Sequence, residues 1–139
     1  MDPSRRDHAT RPLQVLVVDA DRRVRQSLCG LIDLAEGMEI AGSAADAAGA
    51  LAGLAQGGVD VVLLDPRLPG FDAGKALVGA IARDWPDTRI VALYWPEDPG
   101  VSDGARVTVL PSAVQPDSLV DLLRISATAA VGKGAPPLS

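Results

Sequence analysis

The sequence predicts a single α/β domain built on a parallel sheet with helices on both faces. Short, almost purely apolar runs recur along the 139-residue chain, and segments with helical spacing of apolar residues lie between them. A strand that is apolar at nearly every position is typical of a sheet covered on both faces. The composition agrees, because 47% of the residues are hydrophobic and only 3% are aromatic, which indicates a core of small aliphatic side chains.

The first strand, the first helix and the second strand follow one another directly. The first strand is "LQVLVVD", residues 13–19. The helix after it ends at Gly37, where a residue that accepts positive φ is needed. Its predicted apolar face comprises Val24, Leu28, Leu31, Ile32 and Ala35. The second strand is "MEIAGSA", residues 38–44, and is predicted to end at Gly42 and Ser43.

A second helix, a third strand and a third helix come next. The second helix is the alanine-rich segment 46–56, which stops at the glycine pair 57–58. The third strand, "VDVVLLD" at residues 59–65, is as apolar as the first. The third helix spans 73–83 and ends where "WPDT" begins, since a residue before proline disfavours the helical conformation.

The last third of the chain predicts two strands and one helix. The strands are "RIVALY", residues 89–94, and "RVTVL", residues 106–110. The segment between them, 95–105, contains two prolines and two glycines without apolar periodicity, and therefore predicts a loop where a fourth helix would be expected. The final helix opens near Pro116. Its inward-facing residues are Leu119, Leu122 and Leu123.

The composition also limits the function and location. We expect one domain at residues 12–128, with flexible tails at 1–11 and 129–139. The net charge of -5 disfavours binding to nucleic acid or to a membrane surface by this chain alone. There is no run of about 18 apolar residues, the basic N-terminal stretch is not followed by the apolar segment expected of a signal peptide, and the lone Cys29 falls on the apolar face of the first helix. These observations favour a cytoplasmic protein.

Two aspartates end neighbouring strands of the predicted sheet. In a flavodoxin-like, doubly wound sheet with strand order 2-1-3-4-5, the first and third strands are adjacent, and binding sites lie at the carboxyl ends of the strands. Asp19 and Asp65 should therefore face each other. Two facing carboxylates could share a divalent cation. Without one they repel each other, which predicts a raised pKa for one of them.

Four stretches of the chain form a recognisable set: "VLVVDADRRVRQSL", "VDVVLLDPRLPGFDAGKAL", "RIVALY" and "QPDSLVDLL". In order and spacing they resemble the receiver domain of two-component response regulators, from about residue 13 to 127. The resemblance implies a five-stranded flavodoxin-like domain that is not an enzyme. It also implies a phosphoryl group passed from a histidine kinase or a small phosphodonor to an aspartate, which Asp65 matches, with Mg²⁺ held by an acidic pair after the first strand.

Asp65 and Asp19 match that family, but three other positions differ from it. Ala20 stands where the second member of the acidic pair is expected. Tyr94 stands where the family has a serine or threonine. Ser112, or Pro111 if the turn is shorter, stands where the family has a lysine. Since Mg²⁺ demands near-octahedral oxygen coordination, the loss of one carboxylate implies weak Mg²⁺ binding at best through Asp19 and Asp65. No other cofactor is implied.

Two charged residues beside these positions have alternative interpretations. In an extended strand Asp21 would point to the same side as Asp19 and could serve as a metal ligand. Because Asp21 directly precedes a helix, we favour the interpretation that it is the N-cap. Arg67, in the loop after Asp65, could approach the pocket, but we expect a solvated loop arginine.

Three functional hypotheses follow. The favoured one is an atypical receiver, or pseudo-receiver, that acts by binding a histidine kinase or downstream signalling protein, with impaired or absent Mg²⁺-dependent phosphorylation. The alternative is a conventional receiver that accepts phosphate at Asp65 in a phosphorelay. A small enzyme or nucleotide-binding protein is disfavoured, because no glycine-rich loop follows the first strand and the single histidine, His8, lies in the N-terminal tail. A homodimer is left open.

Overall fold

The computed structural model describes residues 11–68, 70–93, 107–109 and 118–125. Five parallel strands form one sheet in the order β2-β1-β3-β4-β5. The strands are β1 Leu13–Val18, β2 Met38–Ala44, β3 Val61–Leu64, β4 Arg89–Ala92 and β5 Val107–Val109. The helices are α1 Arg22–Leu34, α2 Ala47–Ala55, α3 Phe71–Asp84 and α4 at 118–125. The predicted doubly wound, flavodoxin-like sheet and its strand order are confirmed.

Both faces of the sheet are buried, which explains why β1 and β3 are apolar at consecutive positions. Leu16 and Val18 point to the side covered by α2 and α3, where they pack with Leu54 and Leu77. The alternate residues of β1 point to the other side, which α1 and α4 cover. The buried residues of that second side include Val15, Val17, Ile32, Leu119 and Leu123. A side-chain period of two thus supplies both halves of the core from the same strands.

Most predicted boundaries agree with the structure to within two residues. Gly57 and Gly58 each have a φ of 84° directly after α2, as the predicted helix end requires; Gly37 has a φ of 81° but lies in the turn beyond α1, which ends three residues earlier, at Leu34. The second strand has its predicted range, residues 38–44, but Gly42 and Ser43 do not break it, since they pair with β1 after a register shift.

The predicted inner face of the first helix needs one correction. Val24 is 40% exposed, because it lies in the first turn of α1, beyond the end of β1 at Val18. Cys29, by contrast, is half-buried and packs against the core as predicted, and burial raises the pKa of its thiol.

One glycine fixes how closely α3 approaches the loop after β3. A Cβ atom at Gly74 would overlap the backbone of Pro66, including its carbonyl oxygen. Only glycine permits this approach. The loop that follows Asp65 is therefore supported from beneath by the first turn of α3.

Several sequence predictions concern residues outside the described part of the chain. They are Tyr94, the loop at 95–105, Ser112 with Pro111, Pro116, and both tails apart from Arg11. The loop in place of the fourth helix and the domain boundaries therefore stay predictions. Within the described residues, no helix is long and apolar enough to cross a membrane.

Candidate functional site

The carboxyl ends of β1 and β3 bring Asp19 and Asp65 together. The two strands pair with Val18 opposite Leu64, so each aspartate is the first residue after a paired position. The backbone N–H of Asp65 donates to the carbonyl oxygen of Val18 at 2.9 Å, which extends the ladder by one residue. Both aspartates are buried, as the predicted site requires.

The Asp19 carboxylate is buried and only partly satisfied. Asp19 as a whole is only 2% exposed. Its Oδ1 accepts a hydrogen bond of 2.8 Å from the backbone N–H of Asp21. Its Oδ2 has no hydrogen-bond partner among the described residues. Arg25 lies close by, but its Nη1 donates to the backbone carbonyl of Asp19 at 2.8 Å and not to the carboxylate.

Burial is the main reason that the pKa of Asp19 is raised. The hydrogen bond from the Asp21 N–H lowers this pKa, and so does the guanidinium of Arg67, whereas the carboxylates of Asp65 and Asp21 raise it. The sequence predicted a raised pKa for one of the two facing aspartates. The prediction is confirmed at Asp19, but repulsion between the carboxylates is a smaller cause than burial.

Both oxygens of the Asp65 carboxylate accept hydrogen bonds from Arg67. The Nε of Arg67 donates to Oδ1 at 3.0 Å, and its Nη2 donates to Oδ2 at 2.9 Å. The backbone N–H of Arg67 also donates to Oδ1 at 3.1 Å. Two parallel bonds from one guanidinium to one carboxylate form the strong, directional fork that only arginine provides.

The expectation that Arg67 is a solvated loop residue is therefore wrong. Its side chain is 55% exposed, yet its polar end is folded back onto Asp65. Pro66, the residue between them, has a fixed φ, and it is itself held against Gly74 of α3. The short loop thus directs the guanidinium back over the strand end and not outward.

Asp21 is the N-cap of α1, as the sequence predicted. Its Oδ1 accepts from the backbone N–H groups of Arg23 at 2.8 Å and Val24 at 3.2 Å. Its backbone is extended, which is the normal conformation of a cap. Ala20, between the two aspartates, is exposed and offers no side-chain ligand. Among the described residues, Oδ2 of Asp19 is the buried carboxylate oxygen of this loop that has no hydrogen-bond partner.

The described residues do not form an assembled Mg²⁺ site. This ion takes six oxygen ligands in near-ideal geometry, usually including one or two carboxylates. Here both oxygens of Asp65 accept hydrogen bonds from Arg67, and Asp21 caps a helix. Among the residues that the structure describes, no three His, Cys, Asp or Glu side chains come together as a metal-binding group.

A family model described as the response regulator receiver domain matches residues 15–99, more than half of the chain. The chain belongs to the response regulator receiver domain family. As receiver domains generally do, it takes part in two-component signalling. The match includes Asp19, Ala20, Asp65 and Arg67.

One curated relative is a much longer protein. The chain is 37% identical over 82 residues to protein-glutamate methylesterase/protein-glutamine glutaminase 5 of Myxococcus xanthus. The alignment covers 59% of this chain and 23% of that relative, so the chain spans about a quarter of its length. The similarity therefore concerns one part of that protein.

Solved receiver domains share the fold over most of the chain. The signal receiver domain of an HD domain-containing protein from Pseudomonas fluorescens superposes with a TM-score of 0.74 at 24% identity, covering 88% of this chain and 99% of that one. The chemotaxis protein CheY4 of Vibrio cholerae superposes with a TM-score of 0.71 at 28% identity, covering 83% of this chain and 98% of that one. These structures support the receiver fold independently of the sequence match.

Sequence reasoning identified the two carboxylates of this receiver pocket but missed the role of Arg67. A signal was present, because the arginine follows Asp65 by two residues and a proline lies between them. The direction in which a long side chain folds, however, depends on the loop geometry and on the support from Gly74. The positions of Tyr94 and Ser112 relative to the pocket lie outside the described residues.

Proposed function

We propose that this receiver is an atypical, pseudo-receiver domain that signals by binding a protein partner and is not switched by Mg²⁺-dependent phosphorylation. The single observation that carries the proposal is the occupation of both Asp65 carboxylate oxygens by Arg67. Asp65 matches the family's phosphoacceptor and must present a free oxygen to accept a phosphoryl group. In this protein each of its oxygens already accepts a charged hydrogen bond.

The surroundings of Asp65 support the same proposal. Transfer of a phosphoryl group depends on positive charge that neutralises the moving group and bridges it to the protein, which a metal ion normally supplies. Ala20 provides no ligand for such an ion, and the carboxylate of Asp21 is committed to the helix end. In the sequence, Tyr94 replaces the serine or threonine that the family has at the end of the fourth strand, and Ser112 replaces the family's lysine.

The proposed partner is a histidine kinase or a downstream signalling protein, met in the cytoplasm by a domain spanning residues 12–128. With a net charge of -5, the chain is unsuited to bind nucleic acid by itself. The enzymatic activity named for the Myxococcus xanthus relative belongs to a protein of which this chain spans 23%, and we propose no catalytic activity for the receiver itself.

A conventional phosphoaccepting receiver is the second candidate. It is favoured by Oδ2 of Asp19, a buried carboxylate oxygen that lies at the strand end beside Asp65 and has no hydrogen-bond partner among the described residues. In this alternative Arg67 leaves Asp65 when a metal and a phosphodonor arrive.

Intact mass after incubation with a small-molecule phosphodonor and Mg²⁺ tests the proposal. The Asp65→Asn variant serves as the negative control, and a conventional receiver treated in parallel shows that the donor is active. We expect the folded wild-type protein to gain no mass. A gain of one phosphoryl group by the wild type and not by the variant would establish the conventional alternative instead.

A further inference from the structure

We infer that Arg67 is a built-in counter-ion, which takes the place of a divalent cation against Asp65 and thereby excludes the metal. This inference rests on the proposed function, because it names the physical cause of a pocket that does not use Mg²⁺. The missing carboxylate at Ala20 would by itself only weaken Mg²⁺ binding. The guanidinium of Arg67 would in addition keep Mg²⁺ away from Asp65.

The guanidinium of Arg67 lies against the two Asp65 oxygens, where a metal ion bound to Asp65 would have to lie. Its two nitrogens lie at 3.0 and 2.9 Å from the two Asp65 oxygens, and the Arg67 backbone N–H adds a third bond to Oδ1. A metal ion that bound Asp65 would have to share one of these oxygens with a charged donor or displace that donor. It would also lie within a few ångströms of the fixed positive charge.

The charge balance of the pocket points the same way. The carboxylates of Asp19, Asp65 and Asp21 lie around the ends of β1 and β3. The guanidinium of Arg67 is bonded to the Asp65 carboxylate. Arg25 contributes a bond to a backbone carbonyl instead. Without Arg67 the pocket would have three carboxylates and one fewer positive charge, a composition that attracts divalent cations.

Replacing Arg67 should therefore increase the affinity for Mg²⁺. Coulomb repulsion between a unit charge and a divalent cation at contact distance is large enough for a tenfold effect even at the dielectric constant of water. We expect Arg67→Met to bind Mg²⁺ at least about tenfold more tightly than the wild type, a difference of about 1.4 kcal/mol. Methionine keeps a long flexible side chain without the charge.

The measurement is a titration of the wild type and of three variants with Mg²⁺, followed by NMR through the backbone amide signals of the loops after β1 and β3. The ionic strength is held constant, because added salt screens exposed charges. Arg23→Met is the matched control: it removes the same charge from an exposed residue in the first turn of α1. Arg67→Lys keeps the charge but cannot form the two-bond fork.

Three results are expected if Arg67 is the counter-ion. Arg67→Met gives saturable shifts at both strand ends, with an affinity at least about tenfold above that of the wild type. Arg23→Met behaves like the wild type. Arg67→Lys falls between them, because its ammonium still repels the metal but leaves one Asp65 oxygen free.

The opposite results separate this inference from the proposed function. Equal Mg²⁺ affinities for a folded Arg67→Met and the wild type, both weak, would overturn the counter-ion role and leave the proposed function standing. An equal increase in Arg23→Met would also overturn it, since the effect would then be one of general charge. Strong Mg²⁺ binding by the wild type, together with a mass gain at Asp65 in the phosphodonor experiment, would overturn both.

Discussion

Replacing Asp19 by asparagine should stabilise this receiver at neutral pH. The residue is 2% exposed, and its Oδ2 has no partner among the described residues, so the folded protein holds a buried negative charge that is only half satisfied. The pKa of Asp19 is raised, because burial and the neighbouring carboxylates oppose ionisation more strongly than the Asp21 hydrogen bond and the Arg67 guanidinium favour it. Asparagine removes the charge and keeps an oxygen for the Asp21 N–H.

The size of the effect follows from two opposing contributions. A buried charged group without a partner costs about 1–3 kcal/mol or more, and removing the charge relieves that cost. The hydrogen bond from the Asp21 N–H loses strength when its acceptor becomes neutral, at a cost of about 1 kcal/mol. We therefore expect the free energy of unfolding to rise by about 1 kcal/mol, or Tm by about 4 °C for a domain of this size.

The pH dependence distinguishes this explanation from a general gain in packing. Because the folded-state pKa is raised above the ordinary value of 3.8, the folded protein holds this proton more tightly than the unfolded chain does. Ionisation of Asp19 lowers the stability of the wild type as pH rises through the window between 3.8 and the raised pKa. The advantage of Asp19→Asn is thus greatest above that window and disappears as pH falls toward 3.8.

Urea unfolding of the two proteins over a series of pH values measures the difference directly. Asp33→Asn, which removes the charge of an exposed residue in α1, controls for the change in net charge. The explanation fails if Asp19→Asn is no more stable than the wild type at neutral pH. It fails equally if the gain is independent of pH, or if Asp33→Asn shows the same gain.

Four further substitutions test individual parts of the fold and pocket, each by chemical denaturation. Gly74→Ala should lose about 2 kcal/mol or more, because its Cβ would overlap the backbone of Pro66, and an unchanged stability would contradict that close approach. Asp21→Ala should lose about 1 kcal/mol as a helix cap, and a loss of Mg²⁺ affinity without a loss of stability would indicate a ligand instead. Leu63→Ala should lose about 3 kcal/mol, since Leu63 is fully buried, whereas Leu34→Ala, at an 88% exposed residue, should change stability by less than about 0.5 kcal/mol; similar losses would contradict the assigned burial.

The fold could be predicted from the sequence because strands that are buried on both faces of a sheet are apolar at nearly every position. β1 and β3 are apolar at every position that the sheet buries, and the acidic residue that ends each run marks the carboxyl edge. Once the strand order is inferred, the proximity of Asp19 and Asp65 follows from topology alone. The N-cap role of Asp21 was predictable for a similar reason, since it depends on local chain geometry.

What the sequence could not predict depends on side-chain direction and helix placement. Val24 matches the helical spacing of the inner face, but the first turn of α1 lies past the end of β1 and leaves it exposed. Arg67 has the composition of an ordinary loop residue, and only the constraint of Pro66 against Gly74 turns it toward Asp65. Periodicity reports which face a residue occupies, and not how far the neighbouring element extends or where a long side chain folds.

Under the proposed function, the pairing of Arg67 with Asp65 gives a structural reason for the pocket to keep its aspartate. Asp65 accepts bonds from both the backbone and the guanidinium of Arg67, and the buried Pro66 between them rests on Gly74. The aspartate therefore ties Arg67 to the end of β3. If Asp65 is not phosphorylated, as we propose, these contacts keep the strand end and Arg67 together, which suits a surface that a partner binds in one fixed state.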